Sequence, residues 1–155
     1  MEACGIIRTY YDNGNIQEEY FQINNKKHGT YTLYKHTGNN EKVRTIEYVN
    51  GKKHGKYTSY HNNSDTIFYV CCYNDDNEFG EAIFYYENGQ IDNICNYVDN
   101  KICGMRYYYY EDGNLKKSCN YVDGLIQGKY RVYHQDGSIK HIWIYADGII
   151  VNNNE

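Results

Sequence analysis

The stretch of sequence that decides the fold is residues 104–124, GMRYYYYEDGNLKKSCNYVDG. Its first part is an aromatic run that is too short to predict a helix. Asp112-Gly113 then predicts a tight turn, because glycine adopts a positive φ without steric cost. In the second part apolar and polar residues alternate, so every second residue from Leu115 to Tyr121 faces the same side of a strand. Two such runs around a turn predict a β-hairpin, and Asp123-Gly124 predicts a second turn after it.

The same pattern occurs six times along the chain. A glycine opens each copy, at intervals of 24, 26, 25, 24 and 24 residues, and a tyrosine follows each glycine after five residues. A repeat of this period predicts a stacked array in which each copy contacts mainly its neighbours. We therefore expect one single-domain array over residues 1–155, with repeats at about 5–28, 29–54, 55–79, 80–103, 104–127 and 128–151. The glycines are Gly5, Gly29, Gly55, Gly80, Gly104 and Gly128, and the tyrosines are Tyr10, Tyr34, Tyr60, Tyr85, Tyr109 and Tyr133.

Stacked hairpins predict an all-β fold, an elongated antiparallel meander of about twelve short strands. No helical periodicity is found, so the sheet is expected to bury its own apolar rows rather than be covered by helices. A column of small residues, Cys71, Cys95 and Cys119, is expected in this core. A row of aliphatic residues is expected on the same face of the strands, namely Ile16, Ile67, Ile91, Leu115 and Ile139.

Composition and charge exclude several classes of function. The net charge is -4 and the isoelectric point about 5.8, so the chain lacks the basic footprint of a nucleic-acid-binding protein. The apolar runs are far shorter than the roughly 20 residues that cross a bilayer. The first residues have no signal-peptide pattern, and we expect an intracellular protein with reduced cysteines.

The residues that carry chemistry in other proteins recur here as repeat positions. Equivalent cysteines lie two strands apart, roughly 10 Å, which is too far for a disulfide or a shared zinc ion. His28 and His54 occupy one repeat position, and His61 and His134 occupy another. A catalytic site is assembled once, so repeated positions do not predict one. The sequence therefore predicts no enzyme, no cofactor and no metal.

The assembled consensus resembles the variant form of the MORN repeat (membrane occupation and recognition nexus). That form reads G-x-Y-x-x-Y-x-x-x-G-x-I/L followed by Y-x-x-G-x-x-x-G, and residues 128–139, GKYRVYHQDGSI, with residues 145–148, YADG, match almost all of it. The resemblance implies a MORN-like solenoid without catalytic residues. Such repeats are known in giant DNA viruses of amoebae and in bacterial proteins labelled as antitoxins. The Tyr-, Asn- and Ile-rich composition is similar to the viral set, which implies the host cytoplasm as the location.

The resemblance and the surplus of aromatic residues favour a protein–protein interaction module or scaffold. The terminal strands are expected to offer open edges that pair between chains to form a homodimer. The candidate interaction surface consists of the less regular aromatic residues, Phe84, Tyr86, Tyr107, Tyr108, Tyr110 and Trp143.

Two alternative functions remain open. The first is peripheral binding to anionic membrane lipids through two basic turns, at Lys26, Lys27, Lys52 and Lys53. Membrane binding is disfavoured, because these lysines are few and spread over two turns while the net charge is negative. The second is antitoxin-like neutralisation of a partner protein, which is implied only by the family resemblance.

Overall fold

A computed structural model of the protein describes residues 3–62 and 64–154. Of the predicted array, Met1, Glu2, Asn63 and Glu155 lie outside the described residues. Across the described part there are thirteen strands and no helix. The chain divides into two compact units, Met1–Asn77 and Glu78–Glu155.

The first unit contains six strands that pair antiparallel in chain order. They are β1 (Cys4–Tyr10), β2 (Ile16–Ile23), β3 (Lys26–Tyr34), β4 (Lys42–Val49), β5 (Lys52–Tyr60) and β6 (Ile67–Asn74).

The second unit repeats this arrangement with seven strands, again antiparallel in chain order. The predicted all-β meander of hairpins is confirmed in each unit. The strand after the sixth copy raises the number from about twelve to thirteen. The strands are β7 (Asn77–Tyr85), β8 (Ile91–Val98), β9 (Lys101–Tyr109), β10 (Leu115–Val122), β11 (Leu125–Tyr133), β12 (Ile139–Ala146) and β13 (Ile149–Asn154).

The turns between copies have the backbone that the sequence predicted. At Asp123-Gly124 both residues have positive φ, 51° and 82°, as a two-residue hairpin turn of type I′ requires. The turn also joins neighbouring copies, because the Gly124 backbone N–H donates to the Ile102 carbonyl at 3.0 Å. Equivalent bonds run from Gly51 to Lys27 and from Gly148 to Ile126. Short Asp or Asn side chains and glycine tolerate this backbone, which explains their recurrence.

The repeat glycine lies in a short part of its strand that is not paired with the preceding strand. In the pairing of β2 with β3, Tyr20 faces Tyr31 and Phe21 faces His28, so two residues of β3, Gly29 among them, have no partner in β2. Gly29 has a φ of 73°, in the left-handed region that glycine adopts most readily. An irregularity of this kind in a strand is a β-bulge, and it bends the strand locally.

A second bulge, at the start of the even-numbered strands, corrects the prediction for the aliphatic row. Leu115 pairs with Tyr109 and Lys117 with Tyr108, so one residue of β10 is extra. Because Tyr108 and Tyr109 are adjacent and point to opposite faces, Leu115 and Lys117 also do. The aliphatic row therefore lies on the face opposite the cysteines, and Ile139, in the same row, is 53% exposed. The prediction that this row shares the core face was wrong.

The prediction that the cysteine positions form the core is confirmed. Cys71, Cys95 and Cys119 are at most 1% exposed. Ile46 and Tyr31 hold neighbouring positions in the first unit and are also buried. We call the side of the sheet that carries these residues the cysteine face and the other side the opposite face.

Candidate interaction surface

An exposed apolar stripe runs along the opposite face of the second unit, at the ends of strands near the turns between copies. Val98 and Val122 each lie three residues after a buried cysteine, so their side chains point away from the cysteine face. Leu125 is the cross-strand partner of Val122, and Ile149 pairs with Ala146. The apolar stripe consists of Val98, Val122, Leu125, Ile149 and Val151, all exposed.

Cross-strand contact makes the apolar stripe continuous at its C-terminal end. Val122 is 51% exposed and Leu125 49%, so neither is covered by the sheet. A Cβ atom added at Gly148 would lie 3.4 Å from Leu125 Cδ2, which places the leucine against the turn that leads to Ile149. Ile149 is 70% exposed. Contiguous exposed apolar surface of this kind is typical of a contact surface for another molecule.

The first unit has a polar version of the same region. Val49 occupies the repeat position of Val122, but its cross-strand partner is Lys52 rather than a leucine. Ile23, one copy earlier, likewise pairs with Lys26. In the second unit Lys101 still pairs with Val98, and leucine and isoleucine replace the lysine at the next two turns, which creates the continuous part of the apolar stripe there. The apolar stripe was not predicted, because aromatic residues were favoured over aliphatic ones, although the lysine-to-leucine change at one repeat position is visible in the sequence.

The predicted aromatic surface lies in the second unit, and most of it is half-buried. The hydroxyl groups of Tyr86 and Tyr110 donate to the carbonyl oxygens of Tyr109 and Tyr133, at 2.7 and 2.8 Å. Tyr107 is the exposed member, at 37%. The hydroxyl groups of Tyr86 and Tyr110 join neighbouring copies, so two of the six predicted residues have a structural role.

The other members of that surface pack against neighbouring side chains. The Arg106 guanidinium lies over the rings of Phe84 and Tyr108, at 5.6 and 4.8 Å from their centroids. Trp143 packs against Tyr130 at 5.7 Å between ring centroids and is stacked with His141 at 5.3 Å. Their part in binding stays a prediction.

Most lysines of the predicted basic turns contact other side chains of the same protein. The Lys27 ammonium lies 4.0 Å from the centre of the Tyr31 ring and 4.6 Å from that of Tyr20, a cation–π contact. Lys53 lies 4.7 Å from the Tyr73 ring. Lys52 faces Asp75, with 3.6 Å between Nζ and Oδ2, while Lys26 is exposed at the neighbouring turn. The two turns therefore present less free positive charge than their sequence indicates.

Burial controls the ionisation of the core side chains. It raises the pKa of the Cys95 and Cys119 thiols, because a thiolate is poorly solvated there. Burial likewise raises the pKa of Tyr108 and Tyr130. A raised thiol pKa lowers the fraction of reactive thiolate, so these cysteines fit a packing role rather than a nucleophilic one.

The described residues contain no group of three or more His, Cys, Asp or Glu side chains able to hold a metal ion. None of the elements in residues 3–62 and 64–154 is a helix able to span a membrane. The six cysteines all lie within the described residues and form no disulfide there, and Cys4, Cys72 and Cys103 are exposed.

Comparison with known proteins identifies the repeat. The family model described as MORN repeat variant matches residues 3–24, 80–99 and 102–123. These segments cover the hairpin β1–β2 and most of the hairpins β7–β8 and β9–β10. No curated protein matches the chain. The resemblance to viral and antitoxin-labelled members stays a prediction.

Proposed function

This chain is a MORN-repeat protein, and we propose that it is a non-catalytic interaction module that binds another protein chain through the apolar stripe. Repeats of this family are commonly protein- or membrane-binding modules. The observation that carries the proposal is the exposure of Val122, Leu125 and Ile149 side by side on one face of a folded unit. Burying such side chains in an interface is favourable by about 25 cal/mol per Å² of apolar surface.

The same observation favours a protein over a membrane as the partner. Peripheral membrane binding combines apolar residues with a clustered basic surface. One lysine, Lys101, borders the apolar stripe as the partner of Val98, and its Nζ lies 3.8 Å from Asp123 Oδ1. The other lysines at this repeat position belong to the first unit, where Lys52 faces Asp75. An apolar stripe with exposed polar neighbours such as Asp123 and Asp147 is instead typical of a protein interface.

The test removes the centre of the apolar stripe. The double variant Val122→Ser, Leu125→Ser is compared with Val49→Ser, which changes the equivalent, 41% exposed valine of the first unit. Each protein is examined by gel filtration with multi-angle light scattering and by affinity capture from the cell type that produces it, after circular dichroism has confirmed folding.

We expect the wild type and Val49→Ser to hold a stoichiometric protein partner, or a second copy, that the double variant loses. Two results would overturn the proposal. One is a wild-type protein that is monomeric and holds no stoichiometric partner. The other is a double variant that binds as well as the wild type.

A further inference from the structure

Arg106 interrupts the regular pattern of the cysteine face. It occupies the repeat position that holds Tyr31, Tyr57 and Tyr130 in other copies, and its cross-strand partner is the buried Cys119. The other two copies hold Ile7 and Ala82 there, so Arg106 is the one charged residue at this repeat position. Positions that break a repeat are where a single-copy site is expected, because the repeat itself explains the others.

The guanidinium group of Arg106 is held in one orientation. Its Nε and Nη2 atoms both donate to Asn93 Oδ1, at 3.1 and 2.7 Å. Asn93 is 4% exposed, and its own Nδ2 donates to Asp92 Oδ2 at 3.0 Å. The Tyr108 ring supports the cation from another side. Three of the five guanidinium N–H groups are left for another acceptor.

A second cation, Lys117, lies in the same cross-strand row as Asn93. Asn93, Tyr108 and Lys117 face one another across β8, β9 and β10. The Lys117 ammonium lies 5.7 Å from the centre of the Tyr108 ring, which Arg106 also contacts. Within the part of the chain that the structure describes, neither cation has an ion pair with a carboxylate. Two cations therefore flank one aromatic ring without a partner of opposite charge.

The first unit contains the equivalent row with its anion present. Glu18 occupies the repeat position of Asn93, Tyr31 that of Arg106, and Arg44 that of Lys117. There the Tyr31 hydroxyl donates to Glu18 Oε1 at 2.7 Å and also interacts with Arg44. At these three positions the carboxylate of the first unit is thus replaced in the second by an amide, while the number of cations rises from one to two.

From this comparison we propose that Arg106 and Lys117 form a binding site for a carboxylate group of a partner protein, an Asp or Glu side chain in an acidic segment. The free guanidinium edge matches the two oxygens of a carboxylate, and the held orientation reduces the entropy lost on binding. Asn93 orients the arginine without neutralising it.

This site rests on the proposed interaction function for its biological setting, but it is separate in space. Lys117 and Val122 are five residues apart on β10, so their side chains point to opposite faces. The proposal for the apolar stripe and the proposal for the carboxylate site can therefore be tested, and can fail, independently.

The experiment titrates the whole 155-residue chain with a blocked tetraglutamate peptide and follows its ¹⁵N-labelled backbone and arginine Nε–H signals. Blocked tetraglutamine is the neutral control, and inorganic phosphate tests for a site that prefers free phosphate. Arg106→Gln removes one cation and Lys117→Gln the other. Arg131→Gln is the matched control, because Arg131 pairs with Ser118 and lies on the opposite face of the same unit.

We expect tetraglutamate to shift the Arg106 Nε–H signal, with binding that weakens as salt increases. Arg106→Gln should weaken binding about tenfold and Lys117→Gln severalfold, whereas Arg131→Gln should change it by less than about twofold. The signals of the wild type provide a test even if Arg106→Gln fails to fold. Equal binding of tetraglutamine, a preference for phosphate, or an equal loss in Arg131→Gln would overturn the proposal.

Discussion

The Tyr110 hydroxyl donates a hydrogen bond to the Tyr133 carbonyl oxygen at 2.8 Å, across one full repeat of the chain. Tyr86 makes the same bond to Tyr109 at 2.7 Å, and Tyr11 makes it to Tyr34 at 2.7 Å. The bonds lie at the ends of strands opposite to the type I′ turns, so neighbouring copies are joined at both ends. These tyrosines contribute to the repeat's stability through their hydroxyl groups as well as their rings.

The hydroxyl of Tyr110 is expected to have a measurable effect on stability. Tyr110→Phe keeps the ring and leaves the half-buried Tyr133 carbonyl without its donor, which should lower the free energy of unfolding by about 1 kcal/mol. Urea unfolding followed by circular dichroism measures this. Tyr107→Phe is the control, since Tyr107 is exposed and its hydroxyl is expected to contribute little. Equal effects of the two variants would contradict the assigned role.

The repeat glycine gives a second prediction with a control inside the same unit. Gly29→Ala places a Cβ at a φ of 73°, which costs about 1–2 kcal/mol. Gly5 opens the first copy, but its φ lies outside the left-handed region. Around both glycines an added Cβ would meet no atom within 4 Å, so packing does not separate them.

Gly5→Ala should therefore be neutral or stabilising by up to about 1 kcal/mol, because alanine restricts the unfolded chain. Thermal unfolding of the two variants beside the wild type measures the difference. A Gly29→Ala variant as stable as Gly5→Ala would show that the bulge is not what requires glycine at this position.

The hairpins and their turns were predictable because each turn carries its own chemistry. Asn50-Gly51 and Asp123-Gly124 are short pairs whose residues tolerate positive φ, and their spacing fixes the strand lengths. The choice of core face was only partly predictable. Strict alternation in β10 predicts that Leu115 lies on the same face of the sheet as Cys119. The extra residue after Leu115 places it on the opposite face instead. A single sequence gives no direct sign of that bulge.

The candidate site was less predictable than the fold. Aromatic side chains such as Tyr86 were favoured for their size, yet the hydroxyl group of Tyr86 bonds the next copy. Exposure instead falls on Val122 and Leu125 at the ends of strands, which face each other across the strands and are still about half exposed. The Arg106 row depends on which residues face one another across three strands, which requires the register.

The cysteines are expected to fall into two classes of reactivity. Cys4, Cys72 and Cys103 are exposed, whereas Cys71, Cys95 and Cys119 are buried, and burial raises the pKa of the Cys95 and Cys119 thiols. Alkylation of the native protein near pH 7.5 should therefore modify the exposed group within minutes and the buried group only in denaturant. Peptide mass spectrometry assigns the sites. Rapid modification of Cys119 in the native state would contradict its place in the core.

The half-buried tyrosines predict a loss of stability in alkaline solution. Burial, followed by the neighbouring Asp92 carboxylate, raises the pKa of Tyr86 from 10.0 to about 12. Between these values the unfolded chain has released the Tyr86 proton and the folded chain still holds it, so the free energy of unfolding falls as pH rises. Below pH 10 this contribution is fully present. Burial also raises the pKa of Tyr48 and Tyr121, which adds to the same trend.

Urea unfolding at several pH values from 8 to 12 measures this loss, and tyrosinate absorbance follows the ionisation. Tyr86→Phe removes one of the groups responsible, so its stability should decline less steeply between about pH 10 and 12 than that of the wild type. Tyr86→Phe also lacks the bond to the Tyr109 carbonyl, which lowers its stability at every pH without changing the slope. An unchanged slope in Tyr86→Phe would show that the Tyr86 hydroxyl ionises equally in the folded and unfolded chains.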